Sequence, residues 1–557
     1  MKKFYFLLTC LLPVFVHSQM TVTVGPYLQS PTPSSIKILW RTDLLCASKI
    51  VYGTDLANLN LSVTDTMPVT KHAVQLTNLA PYTKYFYAVY SGSVFLEGAD
   101  STHWFRTFPI AGTNLPFRAW VIGDFGKANE KQKNVRDAYV NFDSVETNLW
   151  LWLGDNVYDD GTEAEYLTKV FDSINGYRNV MKHWPFLPCP GNHDYNSVSP
   201  VVSPVSPLSQ TGPYLDFVDV YKNGEAGGVP TGHELFYSYD YGNAHFISMN
   251  SELGSLFNAS DDWNGVSPFF TFTSSPFTTW LAQDLQQNTK PWVIAYFHQP
   301  PYTAGSHDSG TWWEVYMKSM RERFTPILEQ YGVDLVLCGH SHVYERSMLV
   351  RGLYSDVSSF NPSMILQNRS GVDALGEAYT KYTQGANANR GTVYVVNGNS
   401  GSNDSSPPFD HPYMFSEYGC DTCCGSFVLD IDSNRLDGRH IDMGGVERDH
   451  FTIYKIDAVA PSGVGEINGD WISELKIKPN PFSGSTQLSF ELAKNETIKI
   501  QLIDVTGKTV EIFSGNLTKG NHSYEIDAKK LSLAKGIYVV EMTGAGETLA
   551  KKILHIE

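Results

Sequence analysis

Short apolar runs recur through the middle of the chain, each bounded by glycine or proline and each ending in polar residues. Runs of this length and flanking are typical of buried strands. In open α/β sheets, ligands bind at the carboxyl ends of the strands, where these polar residues fall. Five runs carry candidate ligands there: AWVIGDFG (Asp124), LWLGDNVY (Asp155, Tyr158), PGNHD (Asn192, His193), WVIAYFH (His298) and LVLCGHSH (His340, His342).

The chemistry of these groups indicates metal binding. Carboxylates, an amide, a phenol and imidazoles at buried strand ends cost folding free energy unless a cation satisfies them. Seven of them match the ligands of two metal ions that share one carboxylate, held roughly 3.5–4 Å apart as a clamp for in-line displacement at phosphorus. Each string alone is also typical of a turn or a core histidine, but five in order favour a two-metal phosphoesterase site. We interpret His245, inside the strand-like GNAHFISMN, as structural.

The flanking segments have the alternating pattern of β-sandwiches, and together they predict several domains. Residues 20–110 form an all-β unit in which LAPYTKY resembles the tyrosine corner of fibronectin type III domains, with Trp40 in its core. Residues 115–456 form the α/β domain, and a Pro/Gly-containing linker occupies 457–474. Residues 475–557 are predicted to form a small β-sandwich.

Composition and charge limit the possible partners and the compartment. The chain has 557 residues and a net charge of −17, which argues against binding to a nucleic-acid backbone. Its start, MKKFYFLLTCLLPVFVHSQ, predicts a signal peptide over residues 1–18, too short to span a bilayer, with cleavage after Ser18. A lipoprotein modified at Cys10 is the alternative. No later segment has the apolar length of a membrane span.

Six cysteines remain after cleavage. Cys420, Cys423 and Cys424 cluster in GCDTCCG, where an extracytoplasmic protein favours a local disulfide over a zinc knuckle. Cys189 and Cys338, each just before a candidate ligand string, are expected to be small buried hydrophobic residues.

The five strings resemble the calcineurin-like metallophosphoesterases, and among them the purple acid phosphatases. The pattern reads DFG, GDNVY, GNHD, H and GHSH, and Tyr158 is the residue that distinguishes purple acid phosphatases from the wider superfamily. Ala295 departs from the valine usual three residues before the histidine of the fourth block, a change in packing and not in ligation. GHSHVYERS, through Arg346, looks like the larger, plant-type branch, which also carries a fibronectin-like N-terminal domain.

The resemblance implies an αββα catalytic domain and a role for each ligand. Asp124, Tyr158 and His342 would bind Fe(III), Asn192, His298 and His340 would bind a divalent Zn, Mn or Fe ion, and Asp155 would bridge. Hard anionic donors suit a trivalent ion, and imidazoles with an amide oxygen suit a divalent one. Attack by a metal-bound hydroxide on a phosphomonoester is the implied reaction.

Two histidines are implied to assist this reaction. His193 directly follows a ligand, and His307 is the candidate general acid. The family often has a His pair there, but this chain reads His307-Asp308. The carboxylate would either repel an anionic substrate or raise the pKa of His307. A solvated loop residue is the alternative interpretation of His307.

KIKPNPFSGSTQLSFEL, IQLIDVTGKTVE and LAKGIYVVEM resemble the C-terminal sorting domain of the bacterial type IX secretion system. This implies a source of the Bacteroidetes type, secretion machinery as a partner, and export across the outer membrane to the surface or the medium. An adhesion or carbohydrate-binding module is the alternative.

The sequence as a whole predicts a secreted acid phosphatase acting on small phosphomonoesters. A phosphodiesterase or nucleotidase would use the same ligands, and a non-enzymatic surface protein on a decayed scaffold is a third possibility. Intact ligand positions argue against decay. The sequence leaves the oligomeric state open.

Overall fold

The computed structural model describes residues 20–198, 212–254, 276–311, 313–404, 409–415, 423–459, 472, 475–504, 508–544 and 547–556. The predicted signal peptide, Cys10, Cys420 and most of the predicted linker lie outside these residues. The chain divides into two compact units.

The N-terminal unit is an antiparallel β-domain built around aromatic side chains. Its strands are β1 (Val22–Gln29), β2 (Ile36–Gly53), β3 (Leu61–Leu76), β4 (Lys84–Ser91), β5 (Val94–Gly98) and β6 (Trp104–Arg106). They pair in the order β1-β2-β4-β5, with β3 on β2 and β6 on β4. Trp40 lies in the core at 1% exposure, and the Tyr85 hydroxyl accepts a hydrogen bond from the Ala80 N–H at 2.9 Å. Both features agree with the predicted tyrosine corner and core tryptophan.

A second chain segment, Tyr177–Pro185, belongs to the same unit. The Tyr87 hydroxyl donates to the Lys182 carbonyl at 2.9 Å. Glu97 pairs with Arg178 at 3.1 Å and with Lys182 at 2.8 Å. Sequence spacing placed this segment within the α/β domain, whereas its contacts are with the β-domain.

The second unit contains two large sheets. Its strands up to residue 459 are β7 (Phe117–Ile122), β8 (Leu149–Leu153), β9 (Phe186–Cys189), β10 (Tyr237–Tyr241), β11 (Ala244–Ser248), β12 (Trp292–Phe297), β13 (Leu335–Cys338), β14 (Tyr344–Arg346), β15 (Leu349–Val350), β16 (Ile365–Gln367), β17 (Tyr379–Gln384), β18 (Val393–Asn397), β19 (Gly425–Asp432), β20 (Arg435–Asp442) and β21 (Glu447–Val459). One sheet has the order β17-β21-β20-β19-β7-β8-β9 and the other β10-β11-β12-β13-β18-β14, while β15 and β16 pair separately. Strands β7, β8 and β9 are parallel, as are β11, β12, β13 and β18.

The helices of the described residues are α1 (Glu130–Val140), α2 (Glu163–Glu165), α3 (Arg178–Met181), α4 (Pro213–Phe217), α5 (Pro276–Gln287), α6 (Val315–Ser319) and α7 (Thr325–Gln330). Of these, α3 lies in the Tyr177–Pro185 segment of the N-terminal unit, where it contacts β1, and the others belong to the second unit. Helix α1, capped by the Asn129 side chain on the Gln132 N–H, contacts β19 and β20. On the other sheet, Asp284 of α5 accepts from Ser238 of β10 at 2.7 Å, and Glu329 of α7 accepts from Tyr394 of β18 at 2.8 Å. This αββα arrangement confirms the predicted fold class.

Shorter helical segments connect these elements. Tyr166–Val170 and Met320–Phe324 are π-helical, and His193–Val198, Ser251–Gly254, Val357–Ser359, Pro362–Met364 and Asp373–Leu375 are 3₁₀ turns.

A buried ion pair joins the two sheets across the core. Arg346 of β14 is 0% exposed and Asp449 of β21 is 1% exposed. The guanidinium donates to both carboxylate oxygens, at 2.6 and 3.0 Å, and the Tyr344 hydroxyl donates to the same carboxylate at 2.8 Å. Because removing one partner of a buried pair leaves the other charge uncompensated, a substitution at either position should destabilise the packing of the two sheets.

The C-terminal segment forms a β-sandwich with its own core. Its strands are β22 (Lys476–Lys478), β23 (Ser485–Leu492), β24 (Glu496–Asp504), β25 (Thr509–Leu517), β26 (Gly520–Asp527), β27 (Gly536–Gly544) and β28 (Glu547–His555). They form sheets of order β22-β23-β26 and β25-β24-β27-β28. Phe482, Leu488, Ile500, Leu502 and Val540 are among the buried core residues, as the alternating pattern predicts.

Several smaller predictions can also be compared with the structure. His245 of β11 is 2% exposed and bonds Asp240 and Asp284 at 2.8 Å each, which agrees with a structural role. Cys189 and Cys338 are buried free thiols. Cys423 is disulfide-bonded, and its partner lies outside the described residues. Within the described part of the chain, no helix combines the length and the apolar character needed to cross a membrane.

Candidate metal centre

The seven candidate ligands converge at the carboxyl ends of five parallel strands. They follow β7 (Asp124), β8 (Asp155, Tyr158), β9 (Asn192), β12 (His298) and β13 (His340, His342). Three of these strands belong to one sheet and two to the other. The site therefore lies where the ends of both sheets meet, as the strand-end pattern predicted.

Three of the ligands have an uncommon backbone conformation. Asp124, Asp155 and His340 have φ values of 57°, 48° and 67°. The left-handed region costs a non-glycine residue roughly 1–2 kcal/mol. Such residues cluster at ligand clamps because the surrounding structure holds them there. Turning the chain sharply after β7, β8 and β13 brings these side chains into the site.

The glycines that precede the ligands allow the segments to approach closely. A Cβ on Gly191 would lie 2.3 Å from Asp155 Oδ1, and one on Gly339 would lie 2.4 Å from Asp124 Oδ2. Only a residue without a side chain fits at either position. These glycines set the spacing between neighbouring ligands.

The first group of donors consists of Asp124, Tyr158 and His342. The Tyr158 hydroxyl lies 2.9 Å from Asp124 Oδ1 and 3.1 Å from His342 Nε2. His342 Nε2 lies 3.5 Å from the same carboxylate oxygen. Burial, with Asp124 and Asp155 nearby, raises the pKa of Tyr158 well above its ordinary value.

The second group consists of Asn192, His298 and His340. Asn192 Oδ1 lies 3.0 Å from His298 Nε2 and 3.1 Å from His340 Nδ1, and the two ring nitrogens are 3.2 Å apart. Asp155 Oδ1 lies 3.3 Å from His298 Nε2. Because Asp155 also interacts with Tyr158, it lies between the two groups.

Hydrogen bonds outside these groups orient the imidazoles as ligands. His298 Nδ1 bonds the Leu153 carbonyl at 2.9 Å, which leaves Nε2 as the acceptor atom facing Asp155. His342 Nδ1 bonds Asp404 Oδ2 at 2.5 Å, so its Nε2 faces Tyr158 and Asp124. An outer partner on the second ring nitrogen is the usual arrangement around metal-binding histidines. The donors present therefore fit two ions that share Asp155.

Buried carboxyl groups stiffen the loops around the donors. Asp194 accepts from Gly191 N at 2.8 Å and from the Asn156 amide at 2.9 Å, which joins the GNHD and GDNVY loops. Burial raises the pKa of Asp194, Glu252 and Glu345 to about 7 in each case. Hydrogen bonds to these carboxyl groups lower the pKa, but their effect is smaller than that of burial.

The two histidines implied to assist catalysis flank opposite parts of the site. His193 Nδ1 bonds the Asp159 carbonyl at 2.6 Å, and its Nε2 lies 3.8 Å from Asp155 Oδ2. The His307 ring packs on the His340 ring with centroids 4.1 Å apart. The structure thus places His193 beside the shared carboxylate and His307 beside the Asn192–His298–His340 group.

Three residues near the site were missed by sequence reasoning. Glu314 bonds His307 Nδ1 at 2.9 Å, whereas Asp308 accepts from the Gly310 N–H at 2.7 Å. Asp404 contacts His342 from 62 residues away. The Lys127 ammonium lies 4.2 Å from the centroid of the Tyr158 ring. Of these, only Lys127 had a local signal, because it directly follows the DFG string.

Comparison with protein families agrees with this geometry. Residues 117–344 match the calcineurin-like phosphoesterase family. The central segment is a calcineurin-like phosphoesterase domain. Residues 23–107 match the purple acid phosphatase N-terminal domain, and residues 476–557 match a secretion system C-terminal sorting domain. The first model describes calcineurin-like phosphoesterases and the second the N-terminal domain of purple acid phosphatases, a family that implies a binuclear metal centre. The third match indicates export to the cell surface or secretion.

Individual relatives support the same family. This chain is 25% identical over 347 residues to purple acid phosphatase 1 of Ipomoea batatas, and the alignment covers 59% of this chain and 64% of that one. It is 27% identical over 282 residues to the purple acid phosphatase of Glycine max, covering 50% and 52%. The matched regions thus span less than two thirds of these relatives.

A solved structure supports the fold. The structure of a purple acid phosphatase from yellow lupin (Lupinus luteus) seeds aligns with a TM-score of 0.53 at 15% identity, covering 77% of this chain and 74% of that one. At this level of identity, the likeness concerns the fold alone.

Proposed function

We propose that this protein is a secreted acid phosphatase that hydrolyses small phosphomonoesters at a binuclear metal centre. The observation that carries the proposal is the convergence of seven donors from five strand ends into two groups around Asp155. In this assignment Fe(III) occupies the group with Tyr158, and a divalent Zn, Mn or Fe ion occupies the group with Asn192. The phenolate and carboxylate donors of the first group suit the trivalent ion.

When bound, the two ions supply an activated water molecule and offset negative charge on the phosphoryl oxygens. The protein contributes the fixed arrangement around them. Asp404 and the Leu153 carbonyl fix the tautomers of His342 and His298, and the buried Arg346–Asp449 pair holds the two sheets in register. Such preorganised groups need no rearrangement as the reaction proceeds.

His193 and His307 act on the substrate from two sides. His193 has Nδ1 bonded to the Asp159 carbonyl, and its Nε2 faces Asp155, where it would contact a phosphoryl oxygen of the substrate. His307 lies beside His340 with a partly exposed ring, from where it protonates the departing oxygen. A positioned histidine of this kind contributes typically about 10²–10⁴-fold.

In this proposal, the N-terminal signal peptide and the C-terminal β-sandwich direct export. The signal peptide is removed after Ser18, and the β-sandwich of residues 475–557 is read by the secretion machinery. The net charge of −17 argues against binding to a nucleic-acid backbone. The proposed substrate class is small phosphate esters.

Initial rates on p-nitrophenyl phosphate and bis(p-nitrophenyl) phosphate test the reaction class. The same metal-loaded preparation is assayed with both esters in mildly acid buffer. We expect the monoester to be the preferred substrate. A preference for the diester would instead establish a phosphodiesterase.

A variant pair separates hydrolysis at this site from a contaminating activity. Asp155→Asn removes the shared charge and should abolish turnover of the monoester. Asp160→Asn, a nearby exposed position, should leave turnover unchanged. Equal rates in the two variants would refute the assignment of the site.

A further inference from the structure

His307 is held by a carboxylate that is not one of the seven candidate ligands. Its Nδ1 lies 2.9 Å from Glu314 Oε1. The His307 side chain is 41% exposed, whereas Glu314 is 14% exposed. Within the described residues, His307 Nε2 has no hydrogen-bond partner. The imidazole therefore has one nitrogen fixed by a largely buried carboxylate and the other free to meet a substrate.

The loop that carries His307 is itself anchored to the ligand string GHSH. The His307 N–H donates to Ser341 Oγ at 3.3 Å, and Ser341 lies between His340 and His342. Thr303 Oγ1 donates to Ser341 Oγ at 3.2 Å, and Glu345 accepts from the Ala304 N–H at 3.1 Å. These contacts fix the loop backbone, while the ring itself bonds Glu314 and packs on the His340 ring.

We propose that Glu314 is a positioning residue that holds His307 as the proton donor to the leaving group. This inference rests on the proposed function. In the step, the oxygen of water forms a new bond to phosphorus and its proton passes to solvent. The bond from phosphorus to the leaving oxygen breaks, and that oxygen keeps the electron pair and takes the proton of His307 Nε2. His307 is left neutral, with its remaining proton on Nδ1 facing Glu314. The products are an alcohol and inorganic phosphate.

The dependence of rate on the leaving group distinguishes this role from a structural one. An alkoxide needs a proton to depart, whereas p-nitrophenolate leaves readily without one. We therefore compare Glu314→Gln with the wild-type enzyme on ethyl phosphate and on p-nitrophenyl phosphate. Asp308→Asn is the matched control, because Asp308 is exposed and bonds the Gly310 N–H instead of His307.

We expect Glu314→Gln to lower kcat on ethyl phosphate by about 10-fold, the lower end of the effect of an outer partner on a site histidine. On p-nitrophenyl phosphate the change should stay within about twofold, since proton donation adds little there. Asp308→Asn should show no such difference between the two esters. His307→Gln should show a larger difference, and adding Glu314→Gln to it should cause no further loss.

Two kinds of result would overturn the inference. An equal loss on both esters, or no loss on either, would show that Glu314 does not act through proton donation. Losses that multiply in the double variant would mean that Glu314 acts independently of His307. A wild-type enzyme inactive on both esters would refute the proposed function and the His307–Glu314 pair with it. An active wild-type enzyme with either of the first two results refutes the pair alone.

Discussion

Replacing Gly339 by alanine adds one methyl group where two ligand strings meet. Its Cβ would lie 2.4 Å from Asp124 Oδ2, 2.9 Å from the Leu153 carbonyl and 3.2 Å from His298 Nδ1. Gly339 is outside the left-handed region, so alanine can adopt its backbone conformation. The substitution therefore acts through crowding and not through backbone strain.

The size of the effect follows from these distances. An ordinary contact to a Cβ begins near 3.4 Å and the contact to Asp124 Oδ2 is 2.4 Å, so the carboxylate must retreat by about 1 Å. A displacement of about 1 Å costs an enzyme on the order of 10²-fold in rate. Crowding of a packed interior costs about 1–3 kcal/mol of stability, which leaves the domain folded.

The assay compares Gly339→Ala with Gly484→Ala. A Cβ at Gly484 meets no atom within 4 Å, and this glycine is also outside the left-handed region. We expect Gly339→Ala to lose about 10²-fold in kcat on p-nitrophenyl phosphate together with bound metal, and Gly484→Ala to behave as wild type. A Gly339→Ala protein with full metal content and full kcat would refute the placement of Asp124.

Three further perturbations test separate parts of the structure. Asp404→Ala removes the partner of His342 Nδ1 and should weaken metal retention by about 10–100-fold, measured by dialysis against a chelator; unchanged retention would show that Asp404 does not orient His342. His245→Gln tests the buried Asp240–His245–Asp284 bridge. Burial lowers the pKa of His245, but hydrogen bonds to both carboxylates raise it from 6.5 to about 9. The free energy of unfolding of the wild type should therefore exceed that of the variant by about 3 kcal/mol below pH 6.5, and this difference should disappear as the pH rises through 9. Urea unfolding at pH 6 and pH 10 measures the difference. An equal difference at both pH values would contradict the bridge. Deleting residues 475–557 should leave specific activity unchanged while abolishing export, since that β-sandwich has its own core; loss of activity from the folded truncated protein would count against a sorting role.

The sequence predicts those site residues whose positions are determined by the strands that precede them. A buried strand places the residue after it at a sheet edge, so Asp124, Asp155 and His298 could be assigned from apolar runs alone. The same logic identified His245 as structural, because it lies within a strand and not after one.

The outer partners could not be predicted, because loop conformation brings them in. Glu314 lies seven residues after His307, and Asp404 lies 62 residues after His342. Neither separation follows from the repeat of a helix or a strand. The left-handed backbone of Asp124, Asp155 and His340 is likewise a property of close packing between loops. Tyr177–Pro185 joined the N-terminal unit through side-chain contacts such as those of Glu97, which hydrophobic pattern does not encode.

A visible absorption spectrum of the purified protein, with metal analysis on the same sample, tests the central claim most directly. The assignment predicts a purple band with one iron and one further metal ion per chain. It also predicts that Tyr158→Phe, which removes the hydroxyl 2.9 Å from Asp124 Oδ1 and 3.1 Å from His342 Nε2, loses that band. A colourless wild-type protein with two divalent ions, or a Tyr158→Phe protein with an unchanged spectrum, would contradict the ferric site and favour a phosphodiesterase.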